Sequence, residues 1–424
     1  MGALQQPATV GEDIVVGVPL DASGATSREG ALTRRGYDLW QDWANRNGGI
    51  VVQGVKHRVK LLYADDAGKP EVSAAAAERM VSTQGARFLL GPFGVPNIIA
   101  TGEIAERHKV PLIATVVGAP PVPGVPNQPH KYVFGVLPPP ETAGRPFVDL
   151  AANVNPKPMK WALLVSNDPF SVLSAKAAID YVASKGFQVV LYQTYAVGTT
   201  NLLALVQQAK ARNPDVVVDV GYLLDAIAIQ KAAMDLRLES KMFVYTIGPS
   251  APEYTQALGP AAEFAYTVSP WTAQARYRAT YYLSGPQYID AYRKRFNTTL
   301  EPDFLAADAT ASGIALQAAI ERAQSLDPTR VRDALSTLDI STFYGRIKFD
   351  GSGQDAFHPM LVEQIQNGIR QTVWPPELAS APATYPAPTW TARFGPVPGG
   401  PKPKLPVTGH PPSRSPPPPH RPGG

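Results

Sequence analysis

Cysteine is absent from all 424 residues. That excludes disulfides, thiolate metal sites and a cysteine nucleophile. It leaves the compartment open, because many exported bacterial proteins also lack cysteine. Histidine is scarce, and His57, His108, His130, His358, His410 and His420 are scattered with no pair at zinc spacing. No apolar run approaches the roughly 18–20 residues that span a bilayer. Met1–Glu12 lacks the basic and apolar regions of a signal peptide, so either the chain is not exported or a signal lies upstream of Met1. There is no G-x-S-x-G elbow, no phosphate-binding G-x-x-x-x-G-K-[ST] loop, and no G-x-G-x-x-G after the first apolar run. The expectation is therefore a protein with no catalytic residues, no metal and no cofactor, although carboxylates distant in sequence can still meet in space.

What is present suits burial. Hydrophobic residues make up 44% and charged residues 17%, enough to build a core, and 424 residues suit two lobes better than one. The formal charge of +4 comes from one end. Residues 391–424 hold five basic groups (Arg393, Lys402, Lys404, Arg414, Arg421) and no acid, which leaves 34 Lys and Arg against 35 Asp and Glu elsewhere. The body has no basic excess of the kind that marks a nucleic-acid partner.

Strand-like runs alternate with helical patterns. Ile14–Leu20 reads as a strand, Arg28–Arg46 as a helix, Val59–Ala64 as a strand closed by Asp65-Asp66, and Pro70–Thr83 as an alanine-rich helix with proline in its first turn. Phe88–Leu90, Val95–Arg107 and Pro111–Thr115 continue the rhythm. After a proline-rich passage at Pro120–Pro140 the pattern restarts: strands at Trp161–Ser166, Gln188–Thr194, Val216–Val220 and Met242–Ile247, with helices at Ser171–Ser184, Asn201–Lys210 and Asp225–Met234. Two such sets predict two parallel sheets, each covered by helices. Helices follow at Gly285–Phe296, Phe304–Ala323 and Pro328–Leu338. Strands return at Arg346–Phe349, Pro359–Gln366 and, past an Asn367-Gly368 turn, Arg370–Val373.

The last 34 residues contain twelve prolines and six glycines, a composition that builds no core and predicts a disordered tail over 391–424. Within it, Leu405–Gly409 (LPVTG) resembles a sortase wall-anchoring signal. The apolar stretch that normally follows such a signal is replaced by a proline-rich one, and a chance match in biased sequence is the competing reading.

The order and spacing of several pieces resemble one family. These are Ile14-Val15-Val16-Gly17-Val18, Ser23-Gly24, Asn45–Ile50, Leu61–Asp66, Phe88–Pro92, Val110–Thr115 and Phe343–Phe349 with its glycine turn. Together they resemble the type I periplasmic binding proteins, specifically the leucine/isoleucine/valine-binding family, over roughly residues 11–378. The resemblance implies two Rossmann-like, doubly wound α/β lobes joined by three crossovers, expected near Leu137–Glu141, Ser269–Trp271 and Thr342–Gly345. Lobe one would then comprise 11–137 with 270–343, and lobe two 138–269 with 344–378. It also implies a ligand cleft at the C-terminal strand ends, a permease and an ATPase of an ABC importer as partners, and a periplasmic or extracytoplasmic location.

By register with that family, the ligand-contacting candidates are Arg28, Glu29, Phe93, Thr115, Val117, Phe170, Tyr222, Ser250 and Trp271. Most of the hydroxyls that family members aim at an amino-acid carboxylate are missing, and Gly248-Pro249 is followed by Ser250 where an acid would hold the ammonium. Burying an ammonium without such a partner costs on the order of several kcal/mol. Aromatic walls instead favour an aromatic or branched apolar body, each stacked ring adding about 0.5–1.5 kcal/mol beyond burial, and Arg28 is a candidate partner for a carboxylate. The expected ligand is thus branched-chain amino acid-like or an aromatic or apolar carboxylate. Each candidate has a structural alternative: packing for the aromatics, helix-start charge for Arg28 and Glu29, strand termination for Thr115, and capping rather than metal binding for Asp65-Asp66. A ligand-sensing domain of a regulatory system is the alternative function on the same fold, and an enzyme is a distant third.

Overall fold

The computed structural model describes residues 9–24, 26–115, 131–138, 142, 144–275 and 277–395. The first lobe is built on strands β1 (Ile14–Leu20), β4 (Val59–Asp65), β5 (Phe88–Leu90), β6 (Leu112–Ala114) and β7 (Val133–Gly135), all parallel in the order β4-β1-β5-β6-β7. A small antiparallel hairpin, β2 (Ile50–Val52) and β3 (Val55–His57), precedes β4. Most of the central strands read as continuous apolar runs because helices cover both faces of a parallel sheet.

Those helices are α1 (Ser27–Arg46), α2 (Pro70–Ser82) and α3 (Val95–His108). The second lobe begins with α4 (Arg145–Asn153). It carries β8 (Lys160–Ser166), α5 (Pro169–Ser184), β9 (Gln188–Tyr195), α6 (Leu203–Ala211), β10 (Val216–Val220), α7 (Leu223–Leu236), β11 (Met242–Tyr245), α8 (Pro252–Leu258) and β12 (Ala265–Ser269). The chain then returns to the first lobe with α9 (Gly285–Phe296), α10 (Phe304–Ala323), α11 (Pro328–Ser336) and the hairpin β13 (Asp339–Thr342) and β14 (Gly345–Lys348). Two last strands, β15 (Leu361–Gln366) and β16 (Ile369–Trp374), complete a seven-stranded sheet in lobe two, ordered β16-β15-β12-β11-β10-β8-β9.

The 20-residue helix α10 is buried from Leu305 to Ile320, and small residues let it lie against α1. A Cβ on Gly36 would stand 2.1 Å from the Ala306 carbonyl oxygen, and one on Gly313 would stand 2.3 Å from the Trp40 ring. Trp40 answers with an indole hydrogen bond to Gln317 at 3.1 Å.

The chain passes from lobe one to lobe two between β7 and α4 and returns after Ser269. The third passage was expected at Thr342–Gly345. Phe343, Tyr344, Ile347 and Phe349 share the first lobe's core with Trp271 and Tyr288, and Gly135 bridges to Gln354. The chain therefore crosses between Gln354 and Leu361 rather than at Thr342–Gly345, and lobe two resumes there rather than at residue 344. The physical reason is ring packing: Phe343 stacks on Tyr288 at 3.8 Å and cannot leave that core.

The disorder expected over 391–424 does not hold at residues 391–394. Beyond β16 the chain packs along lobe two and forms a helical turn, α12 (Trp390–Phe394). Trp390 is buried against Phe243, with ring centroids 5.6 Å apart. Residues 396–424, including LPVTG, lie outside the described residues.

Candidate functional site

Segments that follow the C-terminal ends of parallel strands in the two lobes meet each other. Helix α3 of lobe one touches α5 of lobe two. Elsewhere, the first turn of α1 meets α8 through Arg28 and Glu253.

On lobe one, Asp21 follows β1 and is fully buried. Its carboxylate accepts from the Gly24 N–H (2.6 Å), the Thr26 N–H (3.0 Å) and the Thr26 hydroxyl (2.5 Å). This folds the loop that delivers Arg28 and Glu29. Arg28 Nε and Nη2 grip Glu253 at 3.2 and 2.9 Å, and Nη1 reaches Glu29 at 3.4 Å. Burial holds the Glu29 carboxyl above its ordinary value against the pull of Arg28. Phe93, half-buried, stands on the loop after β5, beyond a cis Gly91–Pro92 bond.

On lobe two, Asp168 caps α5 by accepting the Ser171 N–H at 3.0 Å and also accepts the Tyr222 hydroxyl at 3.3 Å. It thereby ties together the loops after β8 and β10. Burial, then Asp168, and more weakly Glu29 from the opposite lobe raise the Tyr222 hydroxyl. Phe170 is half-buried in the first turn of α5. Behind Tyr222, the Tyr195 hydroxyl donates to the fully buried Asp219 at 2.8 Å, and burial pushes that carboxyl well above its usual range.

Arg28, Glu29, Phe93, Phe170 and Tyr222 thus stand on the segments that follow the C-terminal ends of β1, β5, β8 and β10. It gives three other candidates different employment. Thr115 is fully buried, and its hydroxyl is engaged by Tyr37 and, at 3.2 Å, by Ser312 within lobe one. Ser250 is buried in a 3-10 turn and donates to the Ile247 carbonyl at 2.5 Å. Trp271 is a core residue: its indole N–H donates to the Phe343 carbonyl at 3.2 Å, and Tyr288 packs edge-on at 5.6 Å. Val117 lies outside the described residues.

Sequence reasoning missed Asp168 and Asp303, and it set Glu253 aside as close to the expected ammonium partner but out of register. Both missed acids carried a readable mark, an acid directly before a helix: Asp168 precedes Pro169, and Asp303 accepts the Leu305 N–H at 3.0 Å. Among the described residues, no group of three or more His, Cys, Asp or Glu is placed to hold a metal ion, and no helix is long and apolar enough to cross a membrane.

Two α/β lobes, one on an all-parallel sheet and one on a mixed sheet whose last two strands run antiparallel, joined by three passages of the chain, define a two-lobed fold of type I topology. The sequence matches the family model for periplasmic binding proteins over residues 13–369, and the chain belongs to that family. A curated relative, Leu/Ile/Val-binding protein homolog 7 of Brucella abortus, is 24% identical over 381 residues, which cover 86% of this chain and 92% of the relative. Among solved structures, a branched-chain amino acid transporter substrate-binding protein from Streptococcus pneumoniae, in complex with isoleucine, is similar at a TM-score of 0.72 and 20% identity, covering 88% of this chain and all of that one. A solute-binding protein of an ABC transporter from R. palustris, in complex with benzoate, is similar at a TM-score of 0.70 and 15% identity, covering 88% of this chain and 97% of that one.

Proposed function

We propose that this chain captures a small organic ligand between its lobes as the extracytoplasmic binding component of an ABC importer, delivering it to permease and ATPase subunits without chemical conversion. One observation carries the reading. Half-buried aromatic side chains from both lobes, Phe93 from one and Phe170 and Tyr222 from the other, stand on segments that follow C-terminal strand ends, and in this reading they line the ligand. A ligand touching both walls gains its full set of contacts only when the lobes are closed, so it draws the population toward that state.

The ligand class that suits these walls is a branched apolar amino acid-like molecule or an aromatic or apolar carboxylate. Two similar proteins hold isoleucine and benzoate, one from each class. With the Thr115 and Ser250 hydroxyls engaged internally and Arg28 held by Glu253, recognition of a ligand carboxylate falls to backbone N–H groups of the cleft loops.

The test is a thermal-shift and calorimetric screen of the full chain against branched-chain amino acids, their amides, and benzoate-type acids. A true ligand at 100 times its Kd adds about 2.7 kcal/mol of stability. Absence of any shift across these classes, or conversion of a bound compound into product, overturns the reading.

A further inference from the structure

Each lobe hands the other one arginine and one glutamate. From lobe one, Arg28 grips Glu253 of lobe two with two guanidinium nitrogens, at 3.2 and 2.9 Å. From lobe two, Arg370 on β16 reaches Glu301, which precedes α10 in lobe one, at 3.8 Å, while holding Glu363 of its own lobe at 3.4 Å. Asp303 is buried and caps α10, and burial raises its carboxyl against the pull of Arg28 and Arg370. Asp303 lies two residues from Glu301.

We propose that these reciprocal bridges, Arg28–Glu253 and Arg370–Glu301, form an electrostatic clasp that draws the lobes together before any ligand is bound and sets how much closure the ligand has to supply. The inference rests on the reading that the lobes open and close about the cleft.

Three physical points support it. The partners lie 225 residues apart in one bridge, so no local structure enforces the contact; only the approach of the lobes does. Against the upward push of burial, the two-nitrogen grip of Arg28 lowers the Glu253 carboxyl from its ordinary value, the direction expected of a charge-assisted pair. Arg370 is largely buried and Glu363 fully so, and parting the lobes would leave Arg370 with Glu363 alone. Bridges with one exposed partner, such as Glu253, are weak and screened by salt, so the clasp biases closure without locking it. Each bridge is expected to change the closed-to-open ratio by about two- to five-fold. Glu253 also acts on specificity. It already occupies the guanidinium, so an anionic ligand has to displace it to use Arg28, whereas a ligand recognised through its apolar body does not.

The chain lacks cysteine, so exposed Glu71→Cys in lobe one and Lys176→Cys in lobe two give a unique pair of labelling positions. Single-molecule energy transfer between them, on the ligand-free full chain, reads the distance between the lobes. The closed population should fall as salt rises from about 0.01 M to about 1 M. It should fall about two- to five-fold in Glu253→Gln and in Glu301→Gln, and it should recover in the exchanged pair Arg28→Glu with Glu253→Arg relative to either single change. A distance distribution indifferent to salt and to both glutamine variants, or an exchanged pair no more closed than its singles, overturns the clasp. The ligand screen is a separate measurement. A chain that closes by this clasp and binds nothing refutes the capture function alone, and one that binds but ignores these changes refutes the clasp alone.

Discussion

The indole N–H of Trp390 donates to the carbonyl of Leu238 at 2.9 Å, closing the far end of lobe two with a residue from the edge of the proline-rich tail. The Trp390 backbone N–H is held by Glu239 at 2.8 Å, and Arg393 lies over the indole face at 4.4 Å. The segment after β16 is therefore part of the lobe. Trp390→Ala is expected to cost about 3–5 kcal/mol in urea-induced unfolding, through lost burial and an unpaired carbonyl. Ending the chain after Gly395 is expected to change stability by less than about 0.5 kcal/mol. Equal stability of the Trp390→Ala protein and the parent would refute the assignment.

The contact of α1 with α10 depends on the absence of a side chain at Gly36. Gly36→Ala places a methyl against backbone that cannot rotate away, 2.1 Å from the Ala306 oxygen. The helices must then separate, at an expected cost of about 1–3 kcal/mol or more. Chemical denaturation measures this directly, and an unchanged midpoint would mean the two helices are not in contact there.

Two buried groups near the third crossing titrate in opposite senses. Burial pushes the Asp355 carboxyl up to about 7. Its folded value exceeds the unfolded one, so its contribution is complete below about pH 4 and is lost as pH rises through about 7. Relative to Asp355→Asn, the parent should lose about 2–3 kcal/mol between about pH 5 and about pH 8. Burial holds the His358 imidazole down at about 4, with Nε2 2.7 Å from the Pro270 carbonyl oxygen. Its contribution is present above about pH 6.5 and is lost as pH falls toward 4. In a proton NMR titration the His358 ring should stay neutral until about pH 4; titration at the ordinary histidine value would show the site open to water.

The aromatic walls should carry most of the ligand's grip. Tyr222→Ala and Phe170→Ala are each expected to weaken the ligand found by screening about ten- to hundred-fold in calorimetry. Thr115→Val should move affinity by less than about three-fold, because its hydroxyl is engaged inside lobe one. The reverse ranking would place the ligand against lobe one's interior network rather than on the aromatic face.

Much of the fold was legible because its determinants are local. Ile14–Leu20 and Phe304–Ala323 read with their full bounds, since an apolar run or a helical period announces each one. Short strands escaped. Val133–Gly135 and Asp339–Thr342 span only three and four residues, and pairing rather than pattern makes them strands. The third crossing was misplaced because Phe343 and Tyr344 suit either lobe's core until they meet Tyr288 and His358. The site was legible only as a set of loops. Register placed Arg28, Glu29, Phe93, Phe170 and Tyr222 on segments after the C-terminal strand ends, but hydroxyls look alike in a sequence whether they face a ligand or a neighbouring protein group, as Thr115 and Ser250 demonstrate.

The sequence by itself determined the two-lobed α/β class, the apolar interior, the order of most helices and strands, and the absence of thiol chemistry, because these follow from composition and from periods of a few residues. Only the tertiary structure decided that Trp390 plugs a lobe, that Trp271 is a core residue, and that Glu253 and Glu301 reach arginines of the other lobe. Those pairings join residues about 70 to more than 200 positions apart, and no local preference selects one long-range partner over another until the lobes have folded and met.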